Sequence, residues 1–233
     1  MTKGRFLGAL NARWSDDDRT MILLTAFGYV DPRQVEWPVP AGAMTDGASI
    51  PQVFWSITGG PFEGRYRKAA VVHDYYCDIR LRTPDETHRM FYDAMICAGV
   101  AAVRAKVMYM AVLFGGPRWN LQAIHNSKLS SPGTFKGWRF DDEGEFIWLE
   151  DSDGELLPPT LKDAKAEGWA PVEAPDGGML WAPPVIKAIP TPRQTPPLEK
   201  FEELAERVRA ENPSVEEIEK LAAQARFYPR DVF

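Results

Sequence analysis

Thr45-Asp46-Gly47-Ala48-Ser49-Ile50-Pro51, Ala69-Ala70-Val71-Val72-His73-Asp74-Tyr75 and Thr83-Pro84-Asp85-Glu86-Thr87-His88 are pieces of one stretch, in which the chain turns from strands to helices. The third piece is the most explicit. Thr83 as N-cap, Pro84 at the first helical position and Glu86 three residues after the cap form a capping box, which satisfies amide donors that a helix start leaves unpaired. Met90, Phe91, Ala94, Met95 and Ala98 follow at helical spacing, and Gly99 ends the run. The second piece lies in a helix expected over Tyr66–Ile79. A third helix carries Val100, Val103, Val107, Met110, Ala111 and Phe114, and stops at Gly115-Gly116-Pro117. A shorter helix is expected from Arg118 to about His125.

Upstream, Arg5–Trp14 and Thr20–Tyr29 read as strands joined by the polar turn Ser15-Asp16-Asp17-Asp18-Arg19. Gln34–Val39 is a third strand, bounded by Pro38 and Pro40. The expected fold class is α+β: an N-terminal antiparallel sheet on a three- to four-helix core, with a β-rich extension and C-terminal helices. The core domain covers residues 1–130. Residues 133–182 form a small β-rich appendage with a hairpin from Trp138 to Leu149, a short helix from Thr160 to Gly168, and the aromatics Trp138, Phe140, Trp148, Trp169 and Trp181. Residues 183–197 are a proline-rich linker of extended character. Residues 198–233 are a helical tail, with Leu198, Phe201, Leu204, Ala205 and Val208 on one face. A second capping box, Ser214 with Glu217, starts a helix carrying Ile218, Leu221 and Ala222.

The chain has 233 residues with a net charge of -6 and a pI near 5.2, which argues against general nucleic-acid binding. No apolar run reaches the ~18 residues of a membrane span, and the apolar patch near the start is too short for a signal peptide. Synthesis in the cytoplasm is expected. Cys77 and Cys97, the two cysteines, read as small buried thiols.

Two of the three histidines, His73 and His88, fall in the opening stretch. If the two helices pack antiparallel, both approach the joining loop. With Asp46 they make a two-His, one-carboxylate set suited to Zn or another divalent ion. Asp46, His73 and Asp74 are the candidate catalytic residues, with Asp74 or Asp46 as general base. Cys77 stands four residues after His73, on its face of the helix. The same residues also suit a buried polar network or metal-free acid–base chemistry, and Asp46-Gly47 also reads as a simple turn. The spacing is not H-E-x-x-H. Ser49 has no G-x-S-x-G elbow, and Gly59-Gly60-Pro61 and Gly115-Gly116-Pro117 are loop breakers without a phosphate-loop context.

Val39-Pro40-Ala41-Gly42, Thr45 to Pro51 with Trp55, Ala69 to Tyr75, Phe91 with Gly99-Val100, and Met108-Tyr109 with Gly115-Gly116 occur in order. Together they resemble an uncharacterised family of short phage and prophage proteins, a domain of unknown function, over roughly residues 5–120. The resemblance implies a phage origin and a fold more than an activity. In the family's pattern an acidic residue stands where this chain has His88, which keeps the capacity to bind a metal or accept a hydrogen bond. Two functions are expected. One is a virion-associated structural or assembly protein (tail, neck or baseplate), contacting other phage structural proteins through the appendage and terminal helices. The other is a metal-dependent hydrolase acting on the bacterial cell wall, with peptidoglycan as partner.

Overall fold

The computed structural model describes residues 3–16, 20–47, 50–59, 64–124, 139–140, 146–147, 162, 165, 170–173, 179–182, 185–191 and 196–225. The chain divides into two units, residues 1–120 with 190–233, and residues 121–189.

The first unit begins with β1 (Arg5–Leu7), β2 (Ala12–Trp14), β3 (Met21–Leu23), β4 (Phe27–Val30), β5 (Glu36–Val39) and β6 (Met44–Thr45). They form two three-stranded sheets, β1-β4-β5 and β2-β3-β6. Both belong to one bent meander. Arg5 faces Val30 and Leu7 faces Gly28; Ala12 faces Leu23 and Trp14 faces Met21. Each step forward on the first strand is a step back on the second, so the register passes through the bend unchanged. The third strand behaves alike, with Phe27 opposite Val39 and Met21 opposite Thr45. The two strands expected over Arg5–Trp14 and Thr20–Tyr29 are thus present, each interrupted at the bend. Side chains alternate across the sheet: Leu23 and Thr45 are buried, whereas Leu24 and Met44 are exposed.

After a 3-10 turn at Gln52–Phe54 come α1 (Trp55–Thr58), α2 (Arg67–Ile79), α3 (Pro84–Cys97) and α4 (Ala102–Gly115). α2 ends on Arg80, whose left-handed backbone (φ 53°, ψ 35°) returns its amide to the Tyr76 carbonyl. Thr83 and Glu86 form the reciprocal capping box at the start of α3. Every residue of α4 from Val107 to Phe114 is buried, the mark of a helix enclosed on all sides. α3 packs against it, as do α5 (Leu198–Glu211) and α6 (Val215–Ala225). Phe201 stacks on Phe54 with ring centroids 4.0 Å apart, and Val208, Ile218 and Ala222 are fully enclosed. The apolar stripes of the terminal helices therefore return to their own domain. The Ser214–Glu217 box is formed in both directions.

The helix expected over Arg118–His125 is a correction: the segment is a strand, β7 (Trp119–Ile124). The Trp119 indole donates to the Arg82 carbonyl, and the Thr191 amide donates to the Arg118 carbonyl. Partners distant in sequence thus override the local helical pattern.

The second unit holds the hairpin of β8 (Arg139–Phe140) with β9 (Phe146–Ile147) and the pair of β10 (Ala170–Glu173) with β11 (Met179–Ala182). β12 (Val185–Pro190), within the proline-rich stretch, pairs with β7. These strands supply the further β structure of the α+β fold. Trp138, Trp148, Trp169 and most of the helix expected over Thr160–Gly168 lie outside the described residues. No described helix is long and apolar enough to cross a membrane.

Candidate functional site

α2 and α3 are joined by only Arg80 to Thr83, so they form an antiparallel pair. His73 lies six residues before the end of α2 and His88 four after the start of α3. At 1.5 Å per residue both stand at nearly the same height above the loop. Cys77, one turn after His73, lies on the same face. His73 and His88 are wholly buried and Cys77 is 4% exposed.

The imidazoles meet through His73 Nε2 and His88 Nδ1, 2.8 Å apart. On its far side His88 Nε2 is 3.1 Å from the Pro117 carbonyl oxygen. A carbonyl only accepts, so His88 carries its proton on Nε2 and offers the Nδ1 lone pair inward. His73 then donates from Nε2, and its Nδ1 is left unprotonated. Burial pushes His73 down to about 3 from an ordinary value of 6.5, so the ring is neutral at physiological pH. The Phe91 ring stacks on His73 at 4.5 Å, and Trp119 meets His88 edge-on at 6.4 Å.

Asp74 is 4% exposed. Its Oδ2 accepts the Thr45 hydroxyl at 2.6 Å, and its Oδ1 lies 4.0 Å from His73 Nδ1. The order of groups is therefore Thr45, Asp74, His73, His88, Pro117, running from the sheet through α2 and α3 to the segment after α4. Cys77 Sγ lies 3.6 Å from His73 Nε2 and 4.0 Å from Nδ1. These near-equal distances put the sulfur beside the ring rather than on the Nε2 lone-pair axis.

Of the residues singled out by sequence, the fold brings His73, Asp74 and His88 together. Asp46 is exposed and follows the end of β6, whose last residue, Thr45, turns its side chain inward to Asp74. The ligand atoms of His73, Cys77 and His88 lie within 4.8 Å of one another, and these three could hold a metal ion. Sequence reasoning missed Thr45 as the partner of Asp74 and missed Cys77 as a ligand. The signal for Cys77 was present in its four-residue spacing from His73. Ser49 and His125 lie outside the described residues.

The chain is 49% identical over 123 residues to the uncharacterized protein y4jT of Sinorhizobium fredii, covering 52% of this chain and 37% of that protein. It is 47% identical over 98 residues to the uncharacterized protein y4iH of the same organism, covering 42% of this chain and 41% of that protein. The chain thus spans about two fifths of the length of these curated relatives. No solved structure matches it. Residues 21–112, which hold the meander's second and third strands and Thr45, His73, Asp74, Cys77 and His88, match the family described as "Protein of unknown function (DUF1353)".

Proposed function

We propose that this protein is a virion-associated structural or assembly component of a tailed bacteriophage, and that its Asp/His cluster holds the core domain together. The observation carrying this reading is burial: Thr45, His73, Asp74 and His88 are each at most 4% exposed. A catalytic group must touch its substrate, whereas these groups touch one another and the backbone. Satisfied networks of this kind rigidify a core. The short phage proteins that residues 5–120 resemble supply the context. α5 and α6 bury their apolar stripes against α4, so partner contact through them falls to their charged outer faces. The β-rich appendage is the other contact surface. The protein would be made in the host cytoplasm and carried into the particle. The test is to probe purified particles from an induced host for this chain. Its absence from intact particles would sink the assembly reading.

A second reading is a metal-dependent hydrolase acting on peptidoglycan, and the convergence of His73, Cys77 and His88 favours it. Three protein ligands and a water are the usual complement of a catalytic zinc. Asp74 would then be better placed than the exposed Asp46 to manage protons near the ion. Release of soluble fragments from purified cell walls, lost in His73→Ala while the fold persists, would establish this reading over the first.

A further inference from the structure

We propose that His73 Nε2, His88 Nδ1 and the Cys77 thiolate form a centre for a zinc-like divalent ion. The inference does not depend on the assembly reading, since a structural and a catalytic ion would use the same ligands.

Three features support it. First, the two facing nitrogens share a single proton along a 2.8 Å contact. Tetrahedral zinc with two imidazole ligands separates their nitrogens by about 3.3 Å, given its usual bond lengths. The rings need part by only about half an ångström to exchange that proton for an ion. Second, the outer support of His88 is in place and a carboxylate stands near the outer nitrogen of His73. Metal-binding histidines almost always donate their second N–H to a carbonyl or carboxylate. His88 does so to Pro117. His73 Nδ1 has Asp74 at 4.0 Å, and Asp74 is itself fixed by the Thr45 hydroxyl. Third, a buried dication would be neutralised locally, by the Cys77 thiolate and the Asp74 carboxylate together.

The proton inventory closes. The His73 proton leaves Nε2 and is carried on Nδ1, toward Asp74. The Cys77 thiol proton is released to solvent, and the freed electron pairs on Nε2, Nδ1 of His88 and Sγ bind the ion. No oxidant or reductant is needed. Cys77 must turn about its Cα–Cβ bond, because its sulfur now lies beside the His73 ring. A water is the natural fourth ligand. Thr45 and Asp74 are positioning residues in this scheme, acting through His73.

The test uses the full chain, stripped of metal under reducing conditions and titrated with Co2+ alone, then with Zn2+ in competition. One Co2+ per chain is expected, with a near-ultraviolet thiolate-to-cobalt charge-transfer band that Zn2+ abolishes. Cys77→Ala should lose the band and Cys97→Ala should keep it. Asp74→Asn should weaken binding about 10- to 100-fold while retaining the band. Circular dichroism identifies any variant that has failed to fold. Should Cys77→Ala do so, the band's fate in Cys97→Ala still decides which thiol binds. Failure to bind Co2+, binding without the thiolate band, or a band that follows Cys97 would each overturn the proposal. None of these outcomes bears on whether the chain is found in particles.

Discussion

Two polar clusters flank α3, and they solve the same problem in opposite ways. On the side facing α2, His73 and His88 are wholly buried and meet across a single shared proton. On the side facing the terminal helices, Arg89 reaches Glu219 at 3.0 Å, with Asp93 and Glu216 each at 3.7 Å. The Tyr109 hydroxyl donates to the same Glu219 at 2.7 Å. There the ions remain partly wetted: side-chain exposure is 32% for Arg89 and 40% for Glu219. Burial, and then Glu219, pushes the Tyr109 phenol well above its usual range, so it stays a donor. The Arg89–Glu219 ion pair is kept where water reaches, and the two imidazoles meet as donor and acceptor where it does not. The first cluster should therefore be sensitive to protonation and truncation, and the second to salt.

Acid should expose the contrast most strongly. The folded value of His73, about 3, lies below its ordinary 6.5. The unfolded chain thus binds the proton first, and the stabilising contribution is complete above pH 6.5. It is lost as pH falls from 6.5 toward 3, by at most about 5 kcal/mol. Urea melts of the metal-free protein over that range would show it, and a flat profile would contradict a neutral His73. Truncation comes next. His73→Ala leaves a cavity against Phe91 and an unserved acceptor on His88, and should cost about 3 kcal/mol in denaturant unfolding. Thr45→Val, close in shape, should cost about 1–3 kcal/mol by removing the hydroxyl from a buried carboxylate. On the other side of α3, Glu219→Gln should cost about 1 kcal/mol or less, and high salt should shrink the difference further. Asp46→Ala, at an exposed position, should cost about 1 kcal/mol or less. A large loss there would return Asp46 to the site.

What could be read in advance follows the range of the forces involved. The start of α3 was legible because a capping box is local: Thr83 and Glu86 need only each other. The approach of His73 to His88 was legible because a short loop between two helices fixes their relative height. The meander was legible in outline, since alternation and turn residues mark its strands. Trp119 was misread because its indole answers to Arg82, and the Arg118 carbonyl to Thr191. Neither partner leaves a mark in the sequence around it. Thr45 is the harder partner to read, because a carboxylate is the more conspicuous ligand and the inward turn of Thr45 depends on the pairing of β6 with β3. Cys77 was passed over because a lone thiol on a helix usually serves only to fill space.

The unbroken register of the meander makes the site a matter of parity. β5 pairs with β4 and β6 with β3 in one count, and the Pro40–Ala43 turn between them is tied to Leu23, whose carbonyl accepts from the Gly42 amide and whose amide donates to the Ala43 carbonyl. Gly42 sits in that turn with a positive φ and with room for a side chain around it. An extra residue there would find space but would have to keep or replace the two bonds to Leu23. Yet if β6 kept its pairing frame, every residue beyond would change sides of the sheet. Thr45 would face outward, and Asp74 would meet a different side chain. Two extra residues would restore the original order. The turn is thus constrained to even changes in length, a rule that reaches the histidines through Thr45 and Asp74.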